Sequence, residues 1–169
     1  MIQMKRALFL DRDGVINIEK GYVHKIEDFE WIVGAMEAIK YLNSMNIYVF
    51  VVSNQAGIAR GYYSEEEVIK LHKHINNKLK DIDAYIDDFF YSPFHPDHPT
   101  KFPHLSHLRK PDIGMLNLAA EKWDFDKSRS FMIGDQETDI KCAENFGIKG
   151  YLYESGNLLN FIKKIKNIK

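Results

Sequence analysis

With a single cysteine among 169 residues, this chain cannot form an internal disulfide, so its fold must rest on packing. That cysteine, Cys142, suits a reducing compartment, and within its helical segment it reads as a small buried hydrophobe. No stretch approaches the roughly 18 apolar residues of a membrane span. Residues 1–6 lack the basic-then-apolar design of a signal peptide. These absences lead us to expect a soluble cytoplasmic protein with no membrane partner. The formal net charge is only -1, which argues against a general affinity for nucleic acid or anionic lipid. There is also no internal repeat and no Gly/Ser-rich linker. A single domain spanning 1–169 is the expectation, with enough chain for one proper core.

The segments that are present alternate in period. Ala7 to Leu10 is a short apolar run that stops at Asp11, and Ile47 to Val52 (IYVFVV) is β-branched and aromatic throughout. Ile86 to Tyr91, Ser130 to Gly134 and Ile148 to Tyr153 read as further strands. Between them lie helical patterns: Gly34 to Asn46, then a segment opened by a Ser64–Glu67 capping box and running to about Lys80. Asp112 is expected to cap a third helix with Ile113, Leu116, Ala119, Ala120 and Trp123 inward. Thr138 to Phe146 is closed by Gly147, and Asn157 to Ile168 is amphipathic. Alternation of this kind predicts an α/β fold, a Rossmann-like three-layer sandwich around a central parallel sheet. The stretch Ser92 to Leu108 has proline and histidine but no period, and reads as a long loop. Trp31 and Trp123 read as packing residues.

Ligands of parallel sheets gather at the carboxyl ends of strands, and there the sequence places its chemistry. Asp11 and Asp13 follow the first strand, Ser53 and Asn54 the second, and Asp135 the strand ending at Gly134. Arg109 and Lys110 follow the long loop. Singly, each has a plainer reading: Asp11 as a turn or cap, Asp13-Gly14 as a turn, Asp135 as an N-cap, Lys110 as a solvated charge. Together, three carboxylates converging at one sheet end repel one another unless a hard cation sits among them, and magnesium with a substrate phosphate fits such a set. Acids with a lysine, an arginine and a hydroxyl describe a site for phosphoryl transfer.

FLDRDGVIN (Phe9 to Asn17), VVSNQAGIARG (Val51 to Gly61), RKPDIGM (Arg109 to Met115) and MIGDQETD (Met132 to Asp139) resemble, in order and spacing, the four motifs of the haloacid dehalogenase superfamily of phosphatases. The wording, including GYV (Gly21 to Val23), is most similar to its capless histidinol-phosphate and D-glycero-D-manno-heptose 1,7-bisphosphate subgroup. The resemblance implies Asp11 as nucleophile forming an aspartyl phosphate, Asp13 as general acid/base, and Ser53 and Lys110 as partners of the phosphoryl group. It implies Mg2+ on Asp11, Asp135 and the Asp13 carbonyl. Glu19, Gly21, Tyr22, Asn54, Gln55, Arg60, Arg109 and Gln136 are the expected substrate contacts. The helix starts near Asn54 and Asp112 are expected to add favourable dipoles. A small phosphorylated sugar is the implied substrate, a heptose bisphosphate or alternatively histidinol phosphate, handled by a monomer without a large cap domain. From another class, a receiver-like or metabolite-binding module shares acids at strand ends and a nearby lysine, but lacks Asp13 and the RKP segment.

Two departures stand out. Relatives often hold a structural zinc in the long loop with two cysteine-containing pairs, whereas here the equivalent positions are Ser92, Phe94, Ser106 and Leu108. Zinc is therefore expected to be absent, although His95, His98, His104 and His107 gather in that loop, and Phe94, Phe102, Leu105 and the prolines are left to pack it. The second is Gln136, where heptose phosphatases commonly carry lysine.

Overall fold

In the computed structural model of the chain, residues 4–168 are described. Five strands form one sheet: β1 (Ala7–Leu10), β2 (Tyr48–Asn54), β3 (Asp88–Ser92), β4 (Phe131–Gly134) and β5 (Lys149–Leu152), in spatial order β3-β2-β1-β4-β5. Every neighbouring pair is parallel, with Leu8 opposite Val49 on one side and Phe131 on the other. β1 is central because it is apolar at every position and buried on both faces.

The period of two in β1 divides the core. Leu8 and Leu10 join Val49, Val51 and Ile133 on one face. There they meet α1 (Ala35–Ser44), α3 (Glu65–Lys80) and α6 (Leu158–Lys164). Ala7 and Phe9 face the other way, with Phe50, Val52 and Met132, under α4 (Gly114–Lys122) and α5 (Glu137–Phe146). The Phe9 ring is ringed by Phe50, Phe125 and Phe146 at centroid separations of 5.4, 5.7 and 6.2 Å. The result is the three-layer sandwich the alternation implied. No helix among the described residues is long and apolar enough to cross a membrane.

Several boundaries differ from the expectation. The Ser64–Glu67 capping box forms as read, and Gly147 closes α5 at φ 87°. Asp112 does not cap α4: the helix begins at Gly114, the residue before it is Ile113, and Asp112 is exposed. Its start is set by close approach, since a Cβ on Gly114 would lie 2.4 Å from the His107 carbonyl oxygen. Ala120 is exposed and Met115 takes the inward place. β3 starts two residues later than Ile86, and β2 runs on to pair Ser53 with Tyr91 and Asn54 with Ser92. The C-terminal helix ends at Lys164 and is followed by a 3-10 turn, Lys166–Ile168. The helix after Asn54 is a single turn, α2 (Ala56–Ala59), too short to carry the dipole expected there.

The chain runs outward from β1 to β3, then returns to the other side of β1 for β4 and β5. The reversal between β1 and β4 opens a crevice at their carboxyl ends. Asp11 and Asp135 stand at its base, one from each strand.

Candidate active site

The floor of the crevice is a knot of charge around one lysine. Asp11 leaves β1 with its N–H donating to the Ile133 carbonyl at 3.0 Å, so the end of the strand is still held by β4. Lys110 arrives from the long loop, and Asn54 fixes its backbone by a reciprocal pair: Lys110 N–H donates to Oδ1 at 3.0 Å and Nδ2 donates to the Lys110 carbonyl at 3.1 Å. The Lys110 ammonium then spends its three donors on Asp11 Oδ1 at 2.9 Å, Asp139 Oδ1 at 2.7 Å and the Val52 carbonyl at 2.8 Å. Burial alone would lower the Lys110 pKa, but the two carboxylates outweigh it and hold it above its ordinary value. Burial drives the Asp11 carboxyl well above its usual range, against the pull of Lys110 and reinforced by Asp139.

Asp135, at the end of β4, completes the floor. Oxygens of Asp11, Asp135 and Asp139 lie within 4.8 Å of one another. Two glycines allow this crowding: a Cβ on Gly14 would lie 2.2 Å from Asp135 Oδ2, and one on Gly134 would lie 2.2 Å from Asp139 Cβ. Asp139 is already committed, with Oδ1 on Lys110 and Oδ2 accepting from the Gln136 N–H at 3.1 Å. Asp11 Oδ1 is likewise taken by Lys110, which leaves Asp11 Oδ2 and Asp135 facing the crevice as the donors a hard cation would want.

Asp13 stands beside this floor in a cradle of donors. Its Oδ1 accepts from Arg12 Nη2 and Asn17 Nδ2, each at 3.0 Å, and its Oδ2 accepts from Gln55 Nε2 at 3.1 Å. The same Gln55 amide donates to Ser53 Oγ at 2.7 Å, and Gln55 Oε1 accepts from the Tyr63 hydroxyl at 2.6 Å. Above it, Glu19 accepts from the Gly21 N–H at 2.5 Å and turns the loop; burial raises the Glu19 carboxyl, with Asp13 adding to the effect. Gly21 and Tyr22 follow in the left-handed region at φ 77° and 54°, and Tyr22 meets Tyr62 edge-on at 4.9 Å between ring centroids. The rim is cationic. Arg60 pairs with Asp97 at 3.1 Å, His95 lies 3.5 Å from the same carboxylate, and half-buried Arg109 reaches the Phe94 carbonyl at 3.4 Å.

Residues 107–160 match the family model described as HAD-hydrolase-like. A curated D-glycero-beta-D-manno-heptose-1,7-bisphosphate 7-phosphatase from Rhodopseudomonas palustris is 39% identical over 160 residues, covering 94% of this chain and 89% of that one. The corresponding alpha enzyme from Campylobacter jejuni is also 39% identical, over 97% of this chain and 92% of its own. The chain belongs to the HAD-like phosphatases. Among solved members of the family, the D,D-heptose 1.7-bisphosphate phosphatase of B. bronchiseptica, complexed with magnesium and phosphate, superposes with a TM-score of 0.80 at 26% identity, covering 95% of this chain and 87% of that one.

As in the HAD-like pattern read from the motifs, Asp11, Asp13, Ser53, Lys110 and Asp135 are brought to one crevice. Asn54 and Gln55 are part of the floor itself. Their amides bond the Lys110 backbone in the case of Asn54, and Ser53, Asp13 and Tyr63 in the case of Gln55, so both position the floor. Gln136 is exposed and donates to Asp135 Oδ2 at 3.1 Å. The sequence reading missed Asp139 as a partner of Lys110, although GDQETD carries the signal: a second acid four residues after Asp135, one helical turn away. Arg12, buried between the two motif aspartates, was missed as well.

The loop at 92–108 is packed from below. Leu108 is buried against Met115, Leu105 lies on the same cluster, and Phe102 packs with Ile58, Tyr63 and Val68. Pro103–Leu108 form a 3-10 turn carrying His104 and His107. Phe94 contributes its carbonyl to Arg109, as noted. Trp123 packs on Tyr48 and Phe50, and its indole N–H donates to Asp88 at 2.9 Å. Cys142 is fully buried, which pushes its thiol up to about 12 and makes it inert as a nucleophile.

Proposed function

We propose that this phosphatase removes the 7-phosphate of D-glycero-D-manno-heptose 1,7-bisphosphate through an aspartyl phosphate on Asp11, in the making of a nucleotide-activated heptose. The observation that carries the reading is the state of Asp11: one oxygen locked by Lys110, the other left toward the crevice that Asp135 closes. Relatives acting on the beta and the alpha sugar match equally well, so the anomer is left to experiment.

The residues present fit magnesium. Asp11, Asp135 and the carbonyl of Asp13 would hold it, and it would supply the positive charge that keeps a buried carboxylate ionised beside an anionic ester. A carboxylate oxygen of Asp11 attacks phosphorus, and the bond from phosphorus to the sugar oxygen breaks. Asp13 gives that oxygen its proton. Asp13 then takes a proton from water as the water attacks the phosphoenzyme, and the Asp11 carboxylate is released. Ser53 donates to the phosphoryl group, and Lys110 holds negative charge in both steps. Arg60, Arg109, Glu19 and the Gly21–Tyr22 turn, being on the rim, meet the rest of the sugar phosphate. We further propose that the whole chain acts as one domain, as a monomer, and that the 92–108 loop needs no zinc. Ser92 and Leu108, at two of the positions where relatives hold the metal, are buried here, and neither is a residue type that binds zinc.

The test compares kcat/KM on both anomers of the heptose bisphosphate with that on histidinol phosphate, with magnesium present. A preference for a heptose anomer supports the substrate. A preference for histidinol phosphate overturns the substrate and leaves the Asp11 chemistry standing. Metal analysis of the purified protein checks the loop, where one zinc per chain would contradict the reading.

A further inference from the structure

Arg12 is the largest fully buried side chain among the described residues, and its charge must be satisfied where it lies. One edge of its guanidinium does two things: Nη2 donates to Asp13 Oδ1 at 3.0 Å and to the Val23 carbonyl at 2.5 Å. The other edge, Nη1, is 3.4 Å from His72 Nε2 on α3. Arginine can only donate, so His72 Nε2 accepts and the ring is the neutral tautomer with its proton on Nδ1. The ring is itself fixed, stacked on Phe89 of β3 with centroids 4.5 Å apart and an interplanar angle of 16°. Nε of Arg12 has no partner, so His72 is what anchors the edge of the guanidinium remote from Asp13.

We propose that His72 is a positioning residue for the acid/base step, acting through Arg12 to aim Asp13 at the leaving oxygen. The relay runs His72–Arg12–Asp13, and its branch to Val23 ties the Glu19–Val23 loop to the same guanidinium. Without an acceptor at His72, Nη1 loses its anchor and the guanidinium can shift about its two Nη2 bonds, which loosens one of the three donors that orient Asp13. Misplacing a general acid by a fraction of an ångström costs rate without costing binding. The inference rests on the phosphatase reading and adds to it a residue outside all four motifs.

The test exploits the leaving group. A sugar phosphate expels an alkoxide that needs the proton of Asp13, whereas 4-nitrophenyl phosphate expels a stable phenolate that does not. Because kcat/KM reports only as far as the first irreversible transfer, the later use of Asp13 as a base does not confuse the comparison. The variant His72→Phe keeps the stack and removes the acceptor. It is expected to lose about 10-fold in kcat/KM on the sugar phosphate and less than about 2-fold on the aryl ester, a part of the ~10²–10⁴ that general acid catalysis supplies. His72→Gln, which returns an acceptor, is expected to regain most of the loss. Equal losses on both esters, or no loss on either, would overturn the proposal.

Should His72→Phe not fold, His72→Ala gives the answer. His72 lines an open groove of about 440 Å³ between α3 and β3, through which free imidazole can enter and restore the sugar-phosphate rate. Failure of imidazole to restore it counts against the relay. A wild-type protein inert on both esters with magnesium would instead defeat the phosphatase reading, an outcome distinct from either.

Discussion

The floor of the crevice and its rim are both built from charged side chains, but on different terms. On the floor, the side chains of Lys110 and Asp139 are each 2% exposed and that of Asp11 12%, and Lys110 has three partners. On the rim, Arg60 is 25% and Asp97 64% exposed, in a pair joined by one short contact. Attraction between charges is screened at the rim and strong on the floor. The floor is therefore preorganised for chemistry and intolerant of change, while the rim can vary its substrate contacts at little cost to the fold. Substitutions that separate activity from stability test this contrast.

Asp11→Asn should show the largest effect. The amide cannot attack phosphorus, so turnover is expected to fall by at least about 10⁴-fold. Lys110 keeps Asp139, and one carboxylate leaves a crowded trio, so the melting temperature should hold or rise. Assay and thermal melt together check it; a large loss of stability would mean that Asp11 is structural first. Lys110→Ala should damage both properties. It strands Asp11 and Asp139 as buried carboxylates, for an expected cost of about 3–5 kcal/mol, and removes an electrostatic donor worth about 10²–10³ in kcat. Adding Asp139→Asn should return part of the stability, read by urea unfolding, and none of the activity.

How much of this was readable in advance depends on where each residue's role is decided. The strands of the centre were legible because β1 and Tyr48 to Val52 of β2 are aromatic, aliphatic or β-branched throughout, and their ends point to the crevice in any parallel sheet. Asp11, Asp13, Ser53, Lys110 and Asp135 were legible for the same reason, each standing in a motif at a strand end. Asp112 misled because a cap-forming residue type before an apolar run is a sound rule that Gly114, packed on the His107 backbone, overrides. Asn54 and Gln55 were found, but their bonds inside the protein were not, since sequence shows that an amide is present and not which partners it takes. Asp139 was visible at a spacing of four from Asp135 but read only as part of a helix. His72 was out of reach: it looks like one more polar position on α3 until the fold carries it to Arg12.

His72 also gives the comparison a pH signature. Burial, with Arg12 adding to it, holds its pKa well below the ordinary 6.5. Between that lowered value and 6.5 the unfolded chain binds a proton that the folded protein refuses, so stability rises with pH across this window and falls as pH drops below about 6.5. The slope from one such group reaches at most about 1.4 kcal/mol per pH unit. Urea unfolding from pH 7 to 5 should show a shallower loss in His72→Gln than in the wild type; parallel curves would mean that His72 takes up its proton in the folded protein as readily as in the unfolded chain.

The rim should respond in binding. Arg109→Ala is expected to raise KM for the bisphosphate about 10-fold, the loss of one charge-assisted hydrogen bond, with kcat within about 3-fold and stability within about 0.5 kcal/mol.

Asp97→Asn should have the smallest effect and the most telling sign. As an exposed pair with Arg60 it contributes less than about 1 kcal/mol, so the melt should barely move. If Arg60 serves the substrate, Asp97 competes with the phosphate for it, and its removal should lower KM by about 2-fold, more at low salt than at high. If instead Asp97 holds Arg60 in the orientation the substrate needs, KM will rise. Measuring KM at two ionic strengths separates these outcomes, because competition between anions fades with salt whereas a lost brace does not. A fall that vanishes at high salt would place Arg60 in the binding site and mark the rim as a surface where one carboxylate sets affinity without touching the chemistry below.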